Sequence, residues 1–460
     1  MSLPLFLGGD VLLFSHISSI AFYILGCIGM LWSLKEHRVC WFSFLCWVSV
    51  YHVSVFATSG LETSMFLCLI IWIFRILEIK HHSLFLLLGF ILTLTRPEGA
   101  LFALVGAFFM GRRCLLQLMS LLSLYAIWKL FYYGDLLPNT FYAKGSENRW
   151  QQGLLYVGLF IQTYWPMIPI LCLALWEFWN KRKLQLYWYV GICSTILFFH
   201  VVRVGGDFMF GRFVLPLIPF LLLMGQNGVE SLFISNRNKQ ILIAIMSSLF
   251  LLSCRHSPAL ETFQDGVVGI EGITEERYWY PHSIVEQAQE QGKELKDVLE
   301  GTDARIVILG MQAMLAYYGE FPYTLEGMNG LTDSELAHRK NSLNRVGHGQ
   351  KLSAAYLQQR NIDMFIDFRL QRPTHPFFYI QITPDLGGQL FVFRAPLLQR
   401  LKERGSEFVD IEDVFEDSLG QDSPSQHLID QGVPIPYLQN YYLDRGNKNE
   451  SKYRSLLLSK

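Results

Sequence analysis

HHSLFLLLGFILTLTRPEGALFALVGAFFMGRRC, residues 81–114, sets two apolar runs on either side of the turn Arg96–Gly99 and ends on the cations Arg112 and Arg113. Runs of this kind predict membrane-crossing helices, because hydrocarbon offers an exposed peptide group no hydrogen-bond partner. The arrangement repeats along the first half of the chain. Connectors of one kind, SGLET (59–63), RPEG (96–99), GDLLPNTFYAK (134–144) and RVGGDFMFGR (203–212), mix acids, cations and aromatics. They alternate with KEHR, RILEIKHH, GRR, NKRK and NRNK, which are mainly cationic.

About ten apolar segments result, near 11–34, 39–57, 63–78, 83–95, 98–110, 114–133, 154–179, 185–202, 213–233 and 240–254. The two flanking RPEG are short, roughly 20 Å of helix at 1.5 Å per residue, and read either as tilted spans or as a re-entrant pair. Eleven Lys and Arg residues fall in one set of connectors and five in the other. The positive-inside rule assigns the eleven to the cytoplasm and puts Met1, the mixed connectors and the C-terminal part outside. MSLPLFLGGD lacks the basic start of a signal peptide, so an N-out first helix, or a helix upstream of Met1, is expected.

The whole chain is 460 residues, 51% hydrophobic and 17% charged, with a net charge of −1 that conceals two unlike parts. Residues 1–254 hold 17 cations and 10 acids, whereas 255–460 hold 21 and 29. A polytopic membrane domain over 1–254 and a polar domain after it follow from that shift, and no nucleic-acid partner is called for. All eight cysteines lie between Cys27 and Cys254, inside apolar runs and without metal-ligand spacing. RIVILG (305–310), MFIDF (364–368) and LFVF (390–393) read as strands among helical patches such as 282–299, which predicts an extracytoplasmic α/β domain over 255–410. Residues 411–460 read as an acidic, irregular arm.

Charges beside apolar spans are expensive and mark candidate sites. The mixed connectors bring Glu62, Glu98, Asp135 and Asp207 to the same side as Arg96, Lys144, Arg203 and Arg212. That set suits transfer from an anionic lipid-linked donor to a hydroxyl, with a carboxylate as base and cations around the departing phosphate. Asp207 reads as a base, a metal ligand or a bridge between Arg203 and Arg212, beside a glycine pair suited to a tight bend or a close approach. No cofactor is called for with certainty, and a divalent metal is left open. Ser59 and Glu62 read first as a capping box, Glu98 as a charge at a helix start, and GDLLPNTFYAK as an interfacial hairpin. His81, His82, His338 and His348 have no metal spacing and read as surface residues.

Taken in order, SGLET, TRPEG, YYGDLLPNTFYAK and VGGDFMFGRFVLPL resemble the signatures of bacterial C-class glycosyltransferases, and most of all the branch of the mycobacterial terminal arabinofuranosyltransferase. YYGEFPYTLEGMNGLTDSELAHR (317–339) and Gly347–His348 extend the resemblance into the tail, so that it covers roughly residues 50–370. It implies a helical bundle of that class and inverting transfer from a polyprenyl-phosphate sugar to a glycan acceptor at the outer face of the cytoplasmic membrane. Asp207 and Asp135 become the candidate catalytic acids, and Glu62, Arg96, Glu98, Asn139, Tyr142, Lys144, Arg203 and Arg212 the candidate substrate contacts. Three departures accompany it: the family's first outer loop with an acidic pair has no counterpart after Met1, Phe210 stands where proline is usual, and Gly349 where an acid is common. Two other readings remain, a non-catalytic envelope scaffold that binds glycan, and a transporter. The second fits less well, since transporters place charges at mid-membrane on repeated, broken helices.

Overall fold

The computed structural model describes residues 8–145, 149–232, 236–255, 270–275, 282–309, 312–327, 330–339, 354–367, 389–392, 397, 403, 411–430 and 450–458. Gly347, His348 and Gly349 lie outside the described residues. The chain divides into two compact units, one made of Met1–Leu137 with Glu147–Trp279, the other of Pro138–Ser146 with Tyr280–Lys460.

The first unit is helical. Helices cover each of the ten apolar segments, beginning with Val11–Leu31, whose start is capped by the Asp10 carboxylate accepting from Leu12 N at 2.8 Å and Leu13 N at 3.1 Å. Among the described residues three helices, Val11–Leu31, Arg112–Tyr133 and Gln185–Val204, are long and apolar enough to cross a membrane, and a bent pair makes up to four. Two expected single passes are corrected. Segment 39–57 is split into Trp41–Ser49 and Tyr51–Ala57 at an extended Val50, and segment 154–179 into Trp150–Thr163 and Met167–Lys181, which meet at 101°. Pro166 stands between the latter two, and proline cannot donate to the preceding turn.

In an apolar solvent, packing and polar contacts between helices replace the hydrophobic effect. Thr63–Ile79 is the central element, with Phe66, Ile70, Ile71, Ile73 and Phe74 all buried. Hydroxyls tie its neighbours together: Ser19 Oγ donates to Phe56 O at 3.1 Å and Ser43 Oγ to Met30 O at 2.9 Å. Opposite faces of the outer helices leave Phe14, Ile17, Phe131, Trp179 and Leu252 exposed, as surfaces in lipid require. His82–Thr95 and Gly99–Met110 are short apolar helices that fold back at RPEG. A side chain on Gly99 would put its Cβ 2.1 Å from Leu92 O, so the hairpin closes only with glycine there.

The second unit holds a four-stranded sheet in the order Tyr323–Glu326, Arg305–Leu309, Met364–Asp367, Gln389–Val392. The first three strands run parallel and the last antiparallel. Ile306, Ile308, Met364 and Ile366 meet Leu295, Leu299 and Leu315 of flanking helices in one core. Beyond residue 410 the described residues are helical, at Ile411–Leu419, Pro424–Asp430 and Glu450–Leu458, with the rings of Phe415 and Tyr453 in contact at 5.0 Å.

Candidate functional site

Three connectors separated by up to 150 residues bring four charges together in the helical unit. Arg212 Nη2 donates to Glu62 Oε1 at 2.6 Å, and its Nη1 lies 3.6 Å from Asp207 Oδ2. Arg96 Nε approaches the same Glu62 oxygen at 3.5 Å. The Arg96 guanidinium sits over the rings of Phe66 at 5.2 Å and Phe213 at 5.4 Å, where the ring quadrupoles favour a cation.

The backbone explains why the cluster forms. Gln185–Val204 ends at Gly205 and Gly206, both in the left-handed region, with Gly206 N donating to Val201 O at 2.9 Å. A Cβ on Gly206 would lie 2.4 Å from Tyr156 Cγ, so this position answers to both the bend and the close approach expected of the glycine pair. The chain then turns inward and buries Asp207 completely, its Oδ1 accepting from Phe208 N at 3.0 Å. Tyr156 fastens the turn from beneath, donating to Met209 O at 2.9 Å and accepting from Phe213 N at 3.2 Å. Residues 270–275 fasten it along one edge through Phe210 N to Thr274 O, 2.9 Å, and Thr274 N to Phe208 O, 2.7 Å.

Phe210 fills an aromatic pocket. Its ring meets His52 edge-on at 4.9 Å, and His52 Nδ1 pairs with Tyr164 OH at 2.6 Å. Tyr156, Phe66, Phe213 and the His52–Tyr164 pair are the supporting residues that sequence reasoning did not single out. Each sits on an apolar helix or beside an apolar run, where an aromatic residue reads as core.

One local expectation is corrected. Ser59 and Glu62 form no capping box: the helix starts at Thr63 without a side-chain cap, Ser59 Oγ bonds within its own turn to Phe56 O and Leu61 N, and Glu62 goes to Arg212. Glu98 stands at the start of Gly99–Met110, as expected, without a side-chain cap bond. An arginine across the bundle offers Glu62 a charged partner, and that outweighs a lone amide.

The other sequence-selected residues are distributed elsewhere. Glu98 is half-buried beside Arg96 in sequence; Arg203 is exposed in the last helical turn, its carbonyl accepting from Arg149 N at 2.8 Å. Asp135 is half-buried in the turn after Gly134. Asn139, Tyr142 and Lys144 belong to the second unit, on the helix Asn139–Gly145. There Asn139 Nδ2 donates to Leu331 O at 3.0 Å and the Tyr142 ring stacks on His338 at 4.0 Å, while the Lys144 side chain is outside the described residues. His338 is an exposed surface residue, as its sequence context suggests, and carries the Tyr142 ring.

Electrostatics follow from burial and pairing. Burial by itself raises the Glu62 carboxyl, but the Arg212 and Arg96 guanidiniums outweigh it and hold the group below the usual carboxylate range. Burial disfavours charge on Arg212 as well, yet Asp207 and Glu62 more than compensate and raise it. Arg96 is pushed down by burial and then by the Arg212 charge, which Glu98, Glu62 and Asp207 oppose only in part. Among the described residues no three His, Cys, Asp or Glu side chains gather as a metal-holding group. The two carboxylates of the cluster face guanidiniums, whose charge opposes a divalent cation, so this donor set does not fit one. An anion fits it better, because Arg96 has no side-chain hydrogen-bond partner among the described residues and Arg212 Nε is buried without one.

No family model matches the chain. It is 31% identical over 151 residues to a terminal beta-(1->2)-arabinofuranosyltransferase of Corynebacterium glutamicum, covering 29% of this chain and 22% of that protein. It is 26% identical over 296 residues to the protein of the same description from Mycobacterium tuberculosis, covering 51% of this chain and 47% of the relative. The matches thus span less than half the length of these relatives. A crystal structure of ArnT from Cupriavidus metallidurans bound to undecaprenyl phosphate superposes with a TM-score of 0.46 and 14% identity, over 84% of each chain. In sequence, this chain is similar to bacterial terminal arabinofuranosyltransferases and resembles the C-class glycosyltransferases.

Proposed function

We propose that the protein is a membrane glycosyltransferase that moves a sugar from a polyprenyl-phosphate donor to a cell-envelope glycan or lipid-linked acceptor. The observation that carries this reading is a pair of nearly buried guanidiniums, Arg96 and Arg212, sharing one half-exposed carboxylate. Two fixed cations in a poorly solvated place suit a phosphate that gains charge as a glycosyl bond breaks. The reaction is inverting: the acceptor oxygen bonds the anomeric carbon, the carbon–oxygen bond to phosphate breaks, and the phosphate keeps the electron pair.

The hydroxyl proton goes to a carboxylate. Asp207, enclosed and facing Arg212, serves as the bridge that orients the guanidinium. Asp135, half-buried in its turn, is the candidate base. Glu98 and Arg203 are candidate substrate contacts of the helical unit, and Asn139, Tyr142 and Lys144 are candidate acceptor contacts of the second unit. The bundle lies in the bacterial inner membrane, with the site and the second unit on the extracytoplasmic side, as the distribution of cationic connectors supports.

The test uses membranes carrying the chain, a polyprenyl-phosphate sugar and a glycan acceptor. Transfer is expected, and Arg96→Gln or Arg212→Gln lowers it about 100- to 1000-fold. Transfer that is absent, or present but indifferent to both arginines, contradicts the reading.

A further inference from the structure

Four groups meet in the cluster, and their access to solvent is unequal. Side-chain exposure is 0% for Asp207, 9% for Arg96, 13% for Arg212 and 37% for Glu62. Any anion arriving from outside therefore meets Glu62 first. That carboxylate also occupies the position an anion would want: its Oε1 alone serves both guanidiniums, at 2.6 Å and 3.5 Å. Its other hold is local, a hydrogen bond from its own backbone amide; it caps no helix by its side chain and forms no further ion pair among the described residues.

Charge counting gives the same answer. Two arginines and two carboxylates sum to zero. An anion added beside Glu62 leaves a net negative charge where solvent screens poorly, whereas an anion that replaces Glu62 keeps the cluster neutral. Arg212 Nε is buried without a hydrogen-bond partner and Arg96 makes only the long pair with Glu62 among the described residues, which leaves donors for oxygens that a single carboxylate cannot supply.

We propose that Glu62 is an exchangeable counter-ion, one that holds Arg96 and Arg212 together in the ligand-free protein, yields to a phosphate anion, and returns when that anion departs. The inference rests on the phosphate-binding reading of these arginines and adds the group that gives way. Asp207 is the permanent counter-ion and Glu62 the temporary one. The return of Glu62 supplies an internal competitor that speeds release of the phosphate product.

Binding to the purified full-length chain tests this, with inorganic phosphate and a short-chain prenyl monophosphate as probes. Glu62→Gln, nearly isosteric, is expected to bind both about tenfold tighter, the scale of one competing charge removed. Without anion its melting midpoint falls below that of the wild type, since the two guanidiniums then lack their shared partner, and phosphate raises the midpoint more than it does in the wild type. Glu36→Gln makes the same change of charge at an exposed carboxylate of the KEHR connector that pairs with Arg38, and should alter affinity by less than about twofold. If Glu62→Gln proves too unstable to assay, Glu62→Asp shortens the reach and gives a tightening of about threefold, the part of a tenfold gain that a longer and weaker pair releases. Unchanged or weaker anion binding in the Glu62 variant overturns the exchange, as does equal tightening in Glu36→Gln. The two ideas fail separately: no sugar transfer with tightened phosphate binding removes the enzyme and keeps the exchange, and transfer without tightening does the reverse.

Discussion

Arg75 and Arg96 are both nearly buried in the helical unit, near opposite ends of the helix Thr63–Ile79, and they are treated very differently. Arg75 is spent on structure. Its Nε donates to Gly29 O at 2.9 Å, Nη2 to Met30 O at 3.4 Å and Nη1 to Glu78 Oε2 at 3.0 Å, closing the end of Val11–Leu31. Arg96 rests on two aromatic rings and shares a carboxylate at 3.5 Å. A buried cation is tolerated when its donors are filled, and one whose donors are unfilled points to a ligand. The pair thus separates an arginine that holds helices together from one that waits for an anion.

The largest effect is expected from Asp207→Ala, which leaves Arg212 without its enclosed partner. A loss of about 3–5 kcal/mol, read as a lower thermal midpoint in detergent, follows from stranding one side of a buried pair. A midpoint close to that of the wild type would mean that Glu62 alone satisfies Arg212. Next come the arginines themselves. Arg96→Gln should cost transfer about 100- to 1000-fold with little change in melting, and Arg75→Gln should lower melting while phosphate affinity stays put. Equal behaviour of the two variants would erase the distinction.

Smaller effects sharpen it. Gly206→Ala introduces an atom 2.4 Å from Tyr156 Cγ at a positive φ, and should destabilise the turn by about 1–3 kcal/mol. Ala at Gly111, which has positive φ but open space around it, gives the backbone part alone. Acid acts through Glu62. Its carboxyl is depressed in the folded protein, so the stability it contributes is full above the ordinary glutamate value and is lost as pH falls through the lower folded value. Melting followed from about pH 5 downward should therefore drop less steeply in Glu62→Gln than in the wild type. The least effect belongs to the second unit: Tyr142→Ala removes a ring stack on His338 worth about 0.5–1.5 kcal/mol.

Much of the helical unit was legible because apolar runs and charged connectors are coarse signals that survive without tertiary knowledge. Sidedness was enough to put Glu62, Arg96, Asp207 and Arg212 in one group, from connectors far apart in sequence. Their pairing was not legible. SGLET has the spacing of a capping box, and only a guanidinium 150 residues away turns Glu62 from its own helix. Breaks inside apolar runs were missed for a related reason, since Val50 carries no turn signal and Pro166 follows three residues that read as a continuing span. Asn139, Tyr142 and Lys144 looked continuous with Asp135, yet the chain passes from one compact unit to the other between Leu137 and Pro138. In the second unit, β-rich runs marked the strands Arg305–Leu309, Met364–Asp367 and Gln389–Val392, whereas Tyr323–Glu326 was hidden by its polar ends. Paired acids and amphipathic spacing let residues 411–419 form a helix in what reads as an irregular arm.

The most direct measurement is a structure of the full chain with a polyprenyl phosphate bound in a lipid nanodisc. Phosphate density between Arg96 and Arg212, with the Glu62 carboxylate turned away and Asp207 still against Arg212, is the predicted result. Lipid phosphate bound elsewhere, with Glu62 still on both guanidiniums, would contradict the account.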